Sequence, residues 1–197
     1  VSQGAVGSPR LIRSAFCYRM SQQDASRPDN ARLRPEMGGG ALLDVGCYCV
    51  SVARWLYGSE PRQVQCQACF HPGGVDLHAT GMLKFEEDRL ATFEASVISG
   101  LQQTFTVVGE NGVIELPHDA FIPWEKEARY SLREKDAESA EPTIVPGADE
   151  YQLMVEHFVD AARGIAAPAF QLSDSIGNMR VLDALAAAAQ NGETVTL

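Results

Sequence analysis

Asp44 and Tyr48 stand four residues apart in the stretch Gly38-Gly39-Gly40-Ala41-Leu42-Leu43-Asp44-Val45-Gly46-Cys47-Tyr48-Cys49-Val50. In a helix that spacing puts both on one face. A carboxylate beside a phenol can act as an acid/base pair. It also has a purely structural reading. An Asp in the first turns of a helix answers the helix dipole, and a helical Tyr commonly packs its ring and leaves its hydroxyl at the rim. Spacing alone leaves both open. The glycines at 38–40 let a ligand or another chain segment come close to the helix start. Gly46 sits mid-helix, where glycine costs about 1 kcal/mol relative to alanine, so something is expected to lie against the backbone there.

Other reactive side chains form no convincing set. Cys66 and Cys69 have the C-x-x-C spacing of a zinc or redox site, but they fall in Val64–Phe70. That stretch reads as a strand, where positions three apart face opposite sides. His71, His78, His118 and His157 lack ligand spacing, so no metal is expected. Phe121, Pro123 and Trp124 could line a sugar pocket by apolar stacking or belong to the core. Arg54 and Asn178 lie within helices, with surface placement the default. The acidic run Glu134–Glu141 reads as a solvated loop.

The elements that must position these residues follow from hydrophobic periodicity. Leu11–Arg19 reads as a strand, and residues 20–37 as a long polar loop of the kind that often carries function. Leu42, Val45, Cys49, Val52, Ala53 and Leu56 predict a helix over 41–57, stopped by Gly58 and Pro61. Strands follow at 64–70, 81–85, 90–97, 103–108 and 113–116, with two hairpins among them. Weaker strands fall at 128–132 and 143–145. Helices are expected over 150–163 and from Ser173, taken as a cap, to Gly192. A last strand covers 194–197. Strands and helices are therefore segregated. The fold class is α+β, a largely antiparallel open-faced sheet with helices on one face. The other face must be polar or covered, a second copy being the natural cover.

The composition excludes some functions. The chain has 197 residues, 45% apolar and 21% charged, as a globular domain does. Its formal charge is −10, and 13 of its 16 basic residues are arginines, spread along the chain. Nucleic acid is not an expected partner. No apolar run approaches the roughly 20 residues that span a bilayer. Five cysteines without a disulfide pattern suit a reducing, cytoplasmic setting.

The stretch from Asn30-Ala31-Arg32-Leu33 through the glycine–Asp–Tyr segment resembles the C-terminal domain of the glucose–fructose oxidoreductase, inositol dehydrogenase and rhizopine-catabolism protein family (Gfo/Idh/MocA). It is most similar to the xylose dehydrogenase and dimeric dihydrodiol dehydrogenase branch. Supporting likeness extends over Gly4–Gly7, Gly74-Val75-Asp76, Gly109–Gly112 and Met179–Ala184. The resemblance implies a substrate-binding, oligomerising domain of an NAD- or NADP-dependent oxidoreductase acting on a sugar, polyol or related alcohol. It places Tyr48 as general acid/base, with Asp44 orienting the substrate or the tyrosine. Arg32 would sit at the pocket edge, Phe121 and Trp124 against substrate, and Gly39 and Gly40 against the cofactor. A homodimer or higher homo-oligomer through the open sheet is also implied. The chain departs from the full pattern in having no strand–GxGxxG–helix unit and no Glu-Lys-Pro segment. Residues 1–197 are therefore expected to form one domain, with the dinucleotide-binding domain outside it. Alone, the chain should bind dinucleotide weakly or not at all and should not turn over; the alternative is a non-catalytic binding or dimerisation module.

Overall fold

The computed structural model describes residues 1–197. Its centre is β1 (Pro9–Arg19), a strand buried continuously over Ser14–Cys17 that lies between β4 (Leu90–Ser96) and β5 (Ile98–Gly109). The β1–β4 pair is parallel and every other pair is antiparallel. With β2 (Gln63–Phe70), β3 (Asp76–Lys84), β6 (Gly112–Leu116), β7 (Ala128–Glu134), β8 (Pro142–Val145) and β9 (Val195–Thr196), these make one nine-stranded sheet of order β8-β7-β6-β5-β1-β4-β3-β2-β9. The expected α+β class and open, mostly antiparallel sheet are both found.

Register sorts the side chains by face. Ile12, Ser14 and Phe16 pair with Ala91, Phe93 and Ala95 on one side and with Val107, Phe105 and Gln103 on the other. Because paired residues share a face, this row forms the inner surface. It packs with Val64, Cys66, Ala79, Leu83 and the helices into one core. The opposite face carries Arg13, Thr80, Met82, Thr92, Glu94, Gln102, Thr104 and Thr106. It is mostly polar, as a solvated sheet face is. Cys66 is buried on the inner face, whereas Cys69 is exposed on the outer one.

The inner face is covered by α2 (Cys47–Tyr57) and α4 (Leu172–Asn191). A π-turn at Leu42–Gly46 leads into α2, so the helix expected over 41–57 is present but begins underwound, with the wider rings of i→i+5 bonding. Gly46 explains how this wide turn lies so low on the sheet. A Cβ there would meet the Ala95 Cβ of β4 at 3.3 Å. The mid-helix glycine is thus a close-approach position, as expected. The polar segment 20–37 is shaped by α1 (Gln22–Ala25) and two single 3-10 turns at Ala31–Leu33 and Pro35–Met37.

Three expectations change. The cap expected at Ser173 is not formed, because α4 already starts at Leu172 and its N-cap, Gln171, gives no side-chain hydrogen bond. Arg54 is not on the surface. It is buried between α2 and α4, with Nε and one terminal nitrogen donating to Glu60 at 2.7 and 2.6 Å and the other terminal nitrogen lying 3.1 Å from Asp174. Gly177 of α4 makes room, since a Cβ there would come within 2.4 Å of the guanidinium. Asn178 is drawn in as well, its amide donating to the Cys47 carbonyl at 3.3 Å. A charge so placed forms strong hydrogen bonds and fills space with its stem. Arg54→Ala is expected to lower unfolding free energy by about 2–3 kcal/mol, the worth of a hydrogen bond to a charged group plus lost packing. Urea titration measures it, and a loss below about 0.5 kcal/mol, the range of ordinary surface substitutions, would assign Arg54 no role in joining the two helices.

Candidate active site

Asp44 and Tyr48 both face a cleft of about 490 Å³ on the helix-covered side of the sheet. Its wall also includes Phe16, Tyr18, Arg19, Arg32, Gln103, Trp124 and Tyr151. Asp44 lies in the π-turn and Tyr48 in the first turn of α2. The carboxylate is held from two sides. The Tyr18 hydroxyl donates to Oδ2 at 2.5 Å, and Arg32 Nε donates to Oδ1 at 2.9 Å. Tyr18 comes from the inner row of β1, two residues beyond Phe16, and Arg32 from the first 3-10 turn. Three elements distant in sequence therefore meet on one carboxylate.

Tyr48 rests on an aromatic floor. Its ring centroid is 5.4 Å from Phe16 and 6.2 Å from Phe121, and those two rings are stacked at 5.3 Å. Tilted contacts of this kind fix a ring without closing it off. Tyr48 remains 43% exposed, and its hydroxyl makes no hydrogen bond within the chain. Partial burial raises its pKa above the ordinary phenol value, with Cys47, Tyr151 and Asp44 adding to the rise. The Tyr18 phenol is raised too, first by burial and then by its bond to Asp44. Both phenols are thus protonated at neutral pH, one committed to Asp44 and one free to face a ligand.

The loop carrying Phe121 and Trp124 is pinned by Gln103, a buried inner-face residue of β5. Its Oε1 accepts from the backbone N–H of Phe121 at 3.3 Å and of Ile122 at 2.8 Å. Phe121 is part of the floor under Tyr48 and does not line the cleft, whereas Trp124 does. Trp124 and Glu125 have φ of 56° and 62°, a left-handed conformation that costs non-glycine residues about 1–2 kcal/mol each.

These features can be set beside known proteins. The description "GFO/IDH/MocA C-terminal domain" fits residues 1–115. The chain belongs to this family. Its relatives match the branch suggested by the glycine–Asp–Tyr segment. It is 30% identical over 124 residues to trans-1,2-dihydrobenzene-1,2-diol dehydrogenase of Xenopus tropicalis, spanning 62% of this chain and 36% of that protein. It is 29% identical over 192 residues to D-xylose 1-dehydrogenase (NADP(+)) 2 of Haloferax volcanii, spanning 98% of this chain and 57% of that protein. Among solved structures it superposes with a TM-score of 0.79 on aldose-aldose oxidoreductase from Caulobacter crescentus complexed with glycerol, at 22% identity over 100% of this chain and 58% of that one. It superposes at 0.82 on KijD10, a 3-ketoreductase from Actinomadura kijaniata in complex with NADP and TDP-benzene, at 19% identity over 95% of this chain and 56% of that one. These structural likenesses establish the shared fold.

The glycine turn of this Gfo/Idh/MocA domain is occupied by its own chain. A Cβ on Gly39 would lie 2.6 Å from the Ala31 carbonyl oxygen, and one on Gly40 would lie 2.1 Å from Asp76 Oδ1. Their N–H groups donate to the Arg34 and Arg32 carbonyls at 3.0 Å each. The turn therefore offers no free N–H cradle for a pyrophosphate. What it offers is a shallow depression beside Arg32, Leu43 and Asp44. Sequence reasoning missed Tyr18, Gln103, Tyr151 and the capping role of Asp76. Only Tyr18 left a signal, the period-two pairing of Phe16 and Tyr18 on one strand face.

Proposed function

We propose that this domain is the substrate-binding and proton-transferring half of a nicotinamide-dependent oxidoreductase acting on a sugar, polyol or related alcohol. The observation that carries this is one cleft holding a free phenol at Tyr48 beside a carboxylate at Asp44 fixed by Tyr18 and Arg32. Tyr48 would exchange a proton with the reacting oxygen. Asp44 and Arg32 would hold neighbouring hydroxyls, and Trp124 would cover an apolar sugar face. Asp44 is suited to orientation because its own two partners hold it still.

The dinucleotide itself does not fit this chain alone, since the glycine turn has spent its N–H groups internally. The chain spans 57% and 59% of two relatives' lengths while matching them along nearly all its own. We therefore assign cofactor binding to a companion domain, whose nicotinamide would supply the hydride chemistry. The depression at Gly39 and Gly40 would receive only the edge of that cofactor. The names of the relatives, a xylose dehydrogenase using NADP and a dihydrodiol dehydrogenase, support vicinal alcohols as the substrate class. The mostly polar outer sheet face is the surface proposed for a homodimer, and the five unpaired thiols accord with a reducing compartment.

The test is NAD(P) reduction by the chain joined to its dinucleotide-binding domain, scanned over aldoses, polyols and cyclic diols. Turnover of at least one is expected. Asp44→Ala should lower kcat/KM by about 10²-fold, the cost of loosening a reacting geometry by about 1 Å. Unaltered kcat/KM in that variant would leave the cleft a binding site without this chemistry.

A further inference from the structure

A second cavity of about 520 Å³ adjoins the cleft and shares Arg19 and Met20 with it. Its wall is mostly apolar, with Leu77, Val97 and Ile98 at the ends of β3, β4 and β5. The residue that divides the two cavities is anchored. The Met20 N–H donates to the Val97 carbonyl at 2.8 Å, and the Asn30 amide donates to the Met20 sulfur at 3.2 Å. Asn30 also accepts from the Arg32 N–H at 3.1 Å, so it ties the divider to the turn whose Arg32 holds Asp44. The polar groups of the second cavity are all able to donate. Arg19 is the cation of the cleft wall left without a partner, since Arg32 is bound to Asp44. His71 accepts from the Gly73 N–H at 3.0 Å through Nδ1, which puts the proton of the neutral ring on Nε2 as a donor. Gln22 adds an amide. The chain has 26 acidic residues, and Asp24 and Asp44 stand in the cleft wall, yet no carboxylate lines the second cavity.

We infer that the second cavity is a subsite of the cleft and takes an apolar arm of the substrate that ends in a carboxylate, held by Arg19 and His71. This rests on the function proposed above and narrows its substrate class to alcohols that carry an acid group a few carbons from the reacting hydroxyl. Three features choose this occupant. The cavity has the size of a small-molecule site, far below a protein interface. Its apolar wall suits a carbon chain, and a guanidinium presents the paired N–H groups that a carboxylate accepts. The shared wall decides the connection. A ligand whose hydroxyl faces Tyr48 has only to pass Met20 to bring its far end to Arg19 and His71. An acid group retained on the cleft side would instead lie among Asp24 and Asp44, which repel it.

The experiment is a methyl NMR titration of the full-length protein, labelled at methionine and isoleucine, with three probes of one chain length: 1,2-hexanediol, 5,6-dihydroxyhexanoate and hexanoate. The dihydroxy acid should bind at least about tenfold more tightly than the diol, the worth of a hydrogen bond to a charged group, and should shift the Met20 and Ile98 methyl signals. Equal affinity of acid and diol overturns the inference. Hexanoate binding as tightly as the dihydroxy acid also overturns it, since the cavity would then act apart from the cleft. Two substitutions at exposed positions locate the effect. Arg19→Gln should bring the acid-to-diol ratio close to unity. Ala25→Trp, which fills the cavity from the short helix α1, should do the same. A ratio that survives Ala25→Trp would place the acid on the cleft side of Arg19 and overturn the subsite. None of these readouts depends on turnover. If no alcohol reduces NAD(P) while the ratio holds, the chemistry proposed for Tyr48 falls and the subsite stands; if the diol turns over and the ratio is absent, only the subsite falls.

Discussion

Tyr48→Phe, made in the protein joined to its dinucleotide-binding domain, is expected to slow hydride transfer by about 10²–10⁴-fold, the usual worth of a positioned general acid/base. The substitution removes one oxygen and keeps the ring that rests on Phe16 and Phe121. The hydroxyl makes no bond within the chain, so unfolding free energy should change by less than about 0.5 kcal/mol. A fall in kcat with little change in KM is the expected pattern. The direction of the pKa shift adds a pH signature. Burial, then Cys47, Tyr151 and Asp44, raise this phenol above its ordinary value. Reduction of a carbonyl can use the protonated phenol throughout the neutral range. Oxidation of an alcohol needs the phenolate, so its rate should climb with pH unless a cation is brought close. In the cleft wall Arg32 is committed to Asp44 and no lysine is present, which leaves Arg19 as the uncommitted cation there. Single-turnover kinetics in both directions checks this. Equal rates for the variant and the parent would remove Tyr48 from proton transfer.

What the sequence made legible was local. The period-two strands, the 41–57 helix and its close-approach Gly46 all depend on spacing within one element, and all are present. The pairing of Asp44 and Tyr48 on one cleft follows from the same periodicity. The partners of Asp44 were not legible, because Tyr18 is 26 residues away and meets it only after the sheet has formed. Arg54 misled for a similar reason. Its burial depends on Glu60, Asp174 and the missing side chain of Gly177, two of them more than a hundred residues distant. The helix expected over 150–163 is present as α3 (Glu150–Ala162), yet its apolar residues lie outside the core of this domain. Hydrophobic periodicity says that a face will be covered; it does not say by which part of the protein.

The glycine turn shows the same limit and yields the second large effect. Gly40→Ala is expected to destabilise the domain by about 2–4 kcal/mol, from left-handed strain plus loss of a helix cap. The backbone at Gly40 has φ of 114°, and the added Cβ would lie 2.1 Å from Asp76 Oδ1. Asp76 is carried in from β3 to accept from the Leu42 N–H at 2.7 Å, at the start of the turn that bears Asp44. Expelling that carboxylate frees the N–H groups it caps and loosens the end of α2 that carries Tyr48. The cap is not cost-free. Burial raises the Asp76 pKa, against the lowering by the Leu42 and Ala41 N–H groups. A carboxyl whose pKa is higher folded than unfolded favours folding while protonated, and that contribution is lost as pH rises through its folded value. Asp76→Asn keeps an acceptor oxygen and removes the ionisation, so it should be milder than Asp76→Ala and should flatten this part of the pH dependence. The decisive measurement is a double-mutant cycle by urea unfolding. If Gly40 is required because Asp76 must approach it, Asp76→Ala will cost much less in the Gly40→Ala background than alone, a coupling of about 1 kcal/mol or more. Additive losses would mean that the glycine serves the backbone angle only, and that the helix holding Asp44 and Tyr48 is positioned by the sheet beneath it without help from Asp76.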